Sequence, residues 1–269
     1  MAATETIIAN LALYRMGQST ISDIDVNTDI LSVKVSALYD QARDELMTEG
    51  PELGWKFARR RYNGIDDESI TITAIDELVS ASTITVTATD HTFVAGDMVE
   101  LDGDTGYDGT YDVISVTGTT SFVVAATFVA TGTGTAHWRS EEYSYRYLIP
   151  TTPTVLRVIS VQAGGLELSD WIEEGGYVLT NQSSDEVDMV IVQQITTTTK
   201  FPTWFTTALV LKLAIALTYN LTQDLKSAQL LWQDYMIAHD KAVAMDERGT
   251  YVKESSSAWQ EVGNTQEVE

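Results

Sequence analysis

The stretch GDMVELDGDTGYDGTYDV, residues 96–113, decides how the middle of the chain is read. Six of its eighteen residues are acidic and four are glycine, which invites comparison with a calcium loop. An EF-hand needs oxygen ligands at alternate positions, a glycine at the sixth and a bidentate Glu at the twelfth. Counted from Asp102, Asp104 fits the third position, but Gly106 takes the fifth, Tyr107 the sixth and Val113 the twelfth. The frame fails, and a plainer pattern fits. Val99 and Leu101 share one face, with Met98 and Glu100 on the other; Tyr111 and Val113 likewise oppose Asp112 and Ile114. Gly96, Gly103, Gly106 and Gly109 sit where turns need a positive φ. Asp97, Asp102 and Asp108 are suited to bond backbone amides there. Two strands with solvated turns are expected.

Working outward, the same texture continues. SITITAI, STITVTAT, DMVEL, TYDVISV and SFVVAAT are short β-branched runs between Gly- or Asp-bearing turns. Between Tyr62 and Trp138 there is no Lys or Arg, while Asp66, Asp67, Glu68, Asp76, Glu77, Asp90, Asp97, Glu100, Asp102, Asp104, Asp108 and Asp112 fall in that interval. A composition change this sharp marks a separate module. Residues 64–138 are therefore expected to form an inserted all-β domain, a small barrel or sandwich.

The flanks read differently. Thr4 to Met16 has helical spacing with Ile7, Ile8, Leu11 and Ala12 on its buried side, Thr4 as cap and Gly17 as stop. Thr28 or Asp29 caps a second helix to about Thr48, with Val35, Leu38, Ala42 and Leu46 inward and Gly50-Pro51 ending it. GWKFARRR, residues 54–61, follows; its Lys56, Arg59, Arg60 and Arg61 form the dense basic cluster of the chain. The arginines either pair with acidic neighbours across a subunit contact or sit at a helix C-terminus, where cations are favoured. Residues 143–195 read as a β-meander. Thr203 caps a third helix, Trp204 to about Leu221, whose outer residues are also apolar, as in a helix buried on several sides. A fourth runs from about Leu225 to Asp246, with Leu230, Leu231, Tyr235, Ala238 and Ala242 on or beside its inner stripe. Residues 247–269 are polar and acidic without periodicity and read as a tail ordered by a partner, with Trp259 and Val262 as anchors. The expected class is α+β: a helical bundle packed with a β-meander (residues 1–63 and 139–246) plus the insert.

Chemistry is sparse. The 269 residues contain no cysteine, which excludes disulfides and thiol catalysis, and only His91, His137 and His239 as histidines. The three lie far apart, outside any HExxH spacing, and no P-loop, GxSxG or dinucleotide fingerprint is present. His91 and His137 read as surface residues near turns. Adjacent acids such as Asp66-Asp67 and Glu141-Glu142 are expected by chance among 39. No enzyme, no cofactor and no metal site is expected. A net charge of −23 argues against nonspecific DNA binding, which needs Lys and Arg to neutralise phosphates. The apolar run from Trp204 is interrupted by Lys212, and no secretory signal is evident, so a soluble chain without membrane contact is expected.

Two resemblances bear on function. "HTFVAGDMVELDG…YDGTYDVISV…SFVV" is similar to small β-modules inserted in phage virion proteins, over about seventy residues. "IANLALYRMGQSTISDID", "ALYDQARDELMTEGPELGWKFARRR", "YRYLIPTTPTVLRVISV", "FPTWFTTALVLKLAIALTYNLT" and "LLWQDYMIAHDKAVAMDE", taken in order, resemble the tail tubular proteins of short-tailed phages. These are adaptors between portal and tail nozzle. The resemblance implies a virion protein made in the host cytoplasm, a ring, expected to be dodecameric, below the portal, with genomic DNA passing its lumen without specific binding. Portal protein, nozzle protein and further copies of the chain are the implied partners. Interface roles for Arg59, Arg60, Arg61, Trp259 and Val262 rest on position. The alternative is a carbohydrate or host-surface binding protein acting through the insert.

Overall fold

The computed structural model describes residues 3–26, 30–77, 82–103, 106–182, 186–222 and 224–248. Thr28, Asp29, Asp104, Trp259 and Val262 lie outside them, so the cap of the second helix and the tail anchors do too. The chain divides into two compact units, one helical and one of strands. It is α+β, as the sequence implies.

The helical unit takes in the chain to Pro51, Trp55–Phe57 and everything from Thr197 onward. Its α-helices among the described residues are α1 (Glu5–Arg15), α2 (Ile30–Thr48), α3 (Thr203–Leu221) and α4 (Leu225–Glu247). Thr4 caps α1 by accepting the Ile7 N–H at 3.3 Å, and Gly17 leaves the helix at φ +70°. Asn10 then clamps the following loop: its side chain donates to the Ile21 carbonyl (2.9 Å) and accepts from the Ile21 N–H (2.8 Å). α3 is the centre. α1, α2 and α4 all pack on it, and Phe205, Leu209, Leu213, Ala214 and Leu217 are fully buried. At 19 residues α3 is long and apolar enough to cross a membrane, but here its inner faces are covered by helices and Lys212 is held by Glu45 and Glu49.

Three helix readings need correction. Thr203 is the first residue of α3; Pro202 occupies the cap, without a side-chain bond to the helix. On α1 the buried residues are Ile8, Ala9, Ala12 and Leu13, while Ile7 and Leu11 are exposed. α1 is apolar nearly all round, so periodicity alone could not choose the face. On α4, Leu231, Tyr235 and Ala242 are buried, whereas Leu230 is exposed.

The strand unit comprises Glu52–Gly54 and Ala58–Thr196. Its strands are β1 (Arg59–Asp66), β2 (Ser69–Ile72), β3 (Ala74–Glu77), β4 (Ile84–Thr87), β5 (Met98–Asp102), β6 (Gly109–Thr117), β7 (Ser121–Val124), β8 (Gly134–Arg139), β9 (Tyr145–Leu148), β10 (Val155–Ala163), β11 (Leu166–Glu167), β12 (Trp171–Glu174), β13 (Tyr177–Thr180) and β14 (Glu186–Gln193). β2 to β8 form one antiparallel sheet in the order β2-β8-β5-β6-β7-β4-β3. Its two edge strands, β2 and β3, are separated in sequence by Thr73 alone, whose N–H and hydroxyl both donate to the Thr87 carbonyl (2.8 and 3.1 Å). Edges that begin one residue apart force the sheet to curl, and the result is a nearly closed barrel. Inside it lie Ile75, Val86, Val99, Leu101, Val113, Phe122 and Val124. Val99, Leu101 and Val113 therefore face inward as their alternation predicts. Gly96, Gly103 and Gly109 take positive φ, and the Asp97 carboxylate accepts the Val94 N–H. Tyr107, offered by the calcium-loop frame as a turn residue, is buried; its hydroxyl accepts from Val129 and Ala130 N–H and donates to the Ala130 carbonyl.

The remaining strands are not a simple meander. β14 crosses back to lie between β1 and β10, giving the sheet β1-β14-β10-β11, while β12-β13-β9 form a second sheet. Tyr147, Val161, Val178, Val187, Met189 and Ile191 make their shared core. A meander pairs each strand with the next; here the near-continuous burial of VDMVIV makes β14 a central strand that needs a neighbour on each edge.

Candidate assembly surfaces

The basic cluster resolves into two parts. Trp55 and Phe57 belong to the helical unit, where they meet Trp204, Phe205 and, for Phe57, Phe201 at centroid distances of 4.8–6.1 Å. Between them, the Lys56 N–H bonds the Asp246 carboxylate, and its ammonium reaches the carbonyls of Asp246 and Glu247. Lys56 thus closes the C-terminal end of α4, where a cation meets the last carbonyls and the negative end of the helix dipole.

Arg59, Arg60 and Arg61 are not at a helix end. They lie on β1, opposite Val192, Ile191 and Val190 of β14. The turn before them and Gly54 at φ +69° break any helix, and β1 has β14 alone as sheet neighbour, so it is an edge. Arg60 covers the Tyr62 ring at 4.9 Å, and Arg60 and Arg61 are exposed. None of the three makes an ion pair with a described residue. Charged side chains on an open edge oppose random strand pairing, and they remain available to an acidic partner.

The other arginines of the strand unit are committed. Arg146, 8% exposed, pairs with Glu68 at 2.5 Å and donates to the Thr92 hydroxyl at 2.7 Å. Its guanidinium lies between the rings of Trp138 (4.9 Å) and Tyr177 (4.6 Å). Arg139 bonds Glu100 at 2.7 Å, approaches Asp67 at 3.4 Å and covers Tyr145. His137 Nδ1 lies 3.2 Å from the same Asp67 carboxylate. Acids of the base-free interval are thus neutralised by arginines that follow it in sequence. The charge asymmetry marked a separate module in the sequence, and nothing in the spacing named Arg139 or Arg146 as partners of its acids. Beside it opens a cleft of about 570 Å³ walled by Trp138, Tyr143, Tyr177, Glu141, Glu142 and Glu174.

The surface reading of His91 needs correction. It is 2% exposed, stacked on Phe93 and edge-on to Phe122, with neither ring nitrogen hydrogen-bonded. It is a core residue of the barrel. No group of three His, Asp or Glu among the described residues is arranged to hold a metal ion.

The helical unit exposes several large apolar side chains. Ile7, Leu11 and Tyr14 of α1 are exposed, as are Leu230, Trp232, Met236 and Ile237 of α4. Tyr14 is 77% exposed, Ile237 69% and Trp232 52%. A groove of about 550 Å³ runs between α3 and α4, floored by Trp204, Leu211, Ala238 and Met245, with Arg15 and Lys241 at its rim.

No protein-family model matches the chain. No curated protein matches it either. Among the solved structures that match is the endosialidase of phage phi92, at 23% identity and a TM-score of 0.21. The match covers 39% of this chain and spans 17% of the endosialidase.

Proposed function

We propose that this chain is a structural protein of a short-tailed phage virion: a ring-forming adaptor that joins portal to tail nozzle and lines part of the DNA channel. The observation that carries the reading is the exposed apolar surface of α1 and α4 in a chain of net charge −23. Apolar patches of this kind on a soluble subunit mark surfaces that partners cover. A closed ring needs two different complementary surfaces per subunit. The apolar helix faces and the arginine edge of β1 supply two of unlike chemistry. No catalytic role is proposed, since the histidines are separately engaged in packing or, for His137, in a hydrogen bond with Asp67. Most acids of the barrel, including Asp76, Asp90, Asp102, Asp108 and Asp112, are exposed. If they face the lumen, their charge keeps phosphates from adhering to the wall.

The test is self-association measured by sedimentation over a range of protein concentration, for the parent chain and for Trp232→Glu/Ile237→Glu. Each large side chain buried at a contact contributes about 1.5–3 kcal/mol, so the double variant should stay monomeric where the parent assembles. Equal assembly would remove this face from the interface.

A second reading has one observation in its favour. The cleft walled by Trp138, Tyr143 and Tyr177 offers aromatic faces beside carboxylates, a lining suited to a glycan. Binding on a glycan array that is lost in Tyr143→Ala would promote host-surface binding through the strand unit. Binding that survives this change, or none at all, would dismiss it.

A further inference from the structure

The arginine edge of β1 and the aromatic cleft of the strand unit are complementary in chemistry. Arg60 already lies over the Tyr62 ring. Strand alternation places Arg59 and Arg61 together on the other face, about 7 Å apart. Arg61 is exposed, and neither makes an ion pair with a described residue. Two guanidiniums held side by side repel each other until an anionic partner arrives.

The cleft has the opposite sign. Asp97, Glu141, Glu142 and Glu174 line it; the three glutamates are exposed, and none of the four makes an ion pair with a described residue. Arg146, the one base in its lining, is committed to Glu68. Its rings already accept a guanidinium, since Arg146 lies 4.9 Å from the Trp138 centroid and 4.6 Å from that of Tyr177. Tyr143 supplies a third ring, over which no described cation lies. Carboxylates beside an aromatic face bind a guanidinium through its charge, its fork of donors and its plane. The fold keeps the chain's own arginines away. Arg61 and Asp66 face Val190 and Glu186 of β14, so about 13 Å of strand separates them, longer than an arginine side chain. Asp67 comes next and accepts the Arg146 N–H beside the cleft.

We propose that Arg61, with Arg59 beside it, docks in the cleft of a second copy of this chain, between Glu142 and Glu174 and against the Tyr143 ring. The contact joins two different surfaces, so it repeats head to tail and closes into a ring where the rotation allows. It rests on the self-assembly put forward under the proposed function and names what the arginine edge meets there. Four carboxylates in the lining favour this cation over a neutral sugar.

The test is charge reversal with rescue, read by sedimentation at low salt, where such a contact is least screened. Arg59→Glu/Arg61→Glu and Glu142→Arg/Glu174→Arg should each weaken self-association at least about tenfold, because like charges then meet. Arg61, Glu142 and Glu174 are exposed and Arg59 half-exposed, so both variants should fold, which far-ultraviolet dichroism checks. All four changes in one chain restore the complementarity in the opposite sense and should regain at least about fivefold of the loss. Association blind to either reversal, or lost in both without recovery in the four-site chain, overturns the contact. A parent that stays monomeric up to about 1 mM also overturns it. Trp232→Glu/Ile237→Glu keeps the two claims apart: if that variant loses assembly while the charge reversals do not, the ring stands without this contact.

Discussion

Arg146 and Glu68 form a 2.5 Å ion pair where the barrel strands meet the β9–β13 strand pair, and the Arg146 guanidinium is stacked between Trp138 and Tyr177. The pair is nearly closed to solvent, with side-chain exposures of 9% and 16%. A buried pair of this kind costs much to desolvate, and its net worth is small, but breaking it strands a charge.

Glu68→Ala should therefore destabilise the protein by about 3 kcal/mol, through the uncompensated guanidinium. Glu68→Leu/Arg146→Met, which removes both charges and keeps volume, should cost clearly less. Urea unfolding of the three proteins gives the comparison. If the double variant is as unstable as the single one, stacking rather than the stranded charge governs the junction.

Gly50 is held by contact rather than by backbone angle. A Cβ there would lie 2.5 Å from Nε1 of Trp55, a fully buried ring whose N–H donates to the Leu46 carbonyl at 2.8 Å. Gly50→Ala should cost about 1–3 kcal/mol as the indole shifts. Loss of tryptophan near-ultraviolet dichroism should accompany it. An unchanged midpoint would mean that the ring yields freely.

Glu49 should shape the acid limb of stability. Burial raises its carboxyl, but hydrogen bonds from Lys212 (2.6 Å) and Tyr235 (2.9 Å), with the charges of Lys212 and His239, bring it below the ordinary 4.5. A depressed folded value adds stability that is complete above 4.5 and is lost as pH falls through the folded value. Glu49→Gln should flatten that part of the stability curve and leave its shape above about pH 6 unchanged. A parallel curve for parent and variant would refute the linkage. Burial first, and then the same hydrogen bond, hold the Tyr235 phenol above its usual range.

The arginine edge gives a prediction of opposite kind. Arg60 and Arg61 are exposed and Arg59 is half-exposed, all without ion partners among the described residues, so Arg59→Ala/Arg60→Ala/Arg61→Ala should change monomer stability by less than about 1 kcal/mol. Assembly should weaken, and more steeply at low salt, where charge attraction is least screened. Undiminished assembly would reject an interface role for this edge.

Much of this was legible in the chain. Thr4 and Gly17 bracket α1 as written, and Val99 and Leu101 alternate into the barrel because one face of β5 must be dry. What failed had physical causes. RRRYNGID lacks alternation and carries a register shift between Tyr62 and Ile65, so β1 resembles neither strand nor helix in sequence. α1 and α4 carry apolar residues on covered and uncovered sides alike, so their buried faces were ambiguous. His91 is buried by Phe93 and Phe122, a tertiary event that no local pattern announces. The Arg139–Arg146 junction joins residues up to 79 apart in sequence, a tertiary meeting that no local pattern shows.

The most direct measurement is electron microscopy of the purified chain mixed with portal rings from the same phage. An added ring of density on one face of the portal, weakened by Trp232→Glu/Ile237→Glu, is the result expected of an adaptor. No association over a range of salt and protein concentration would contradict it.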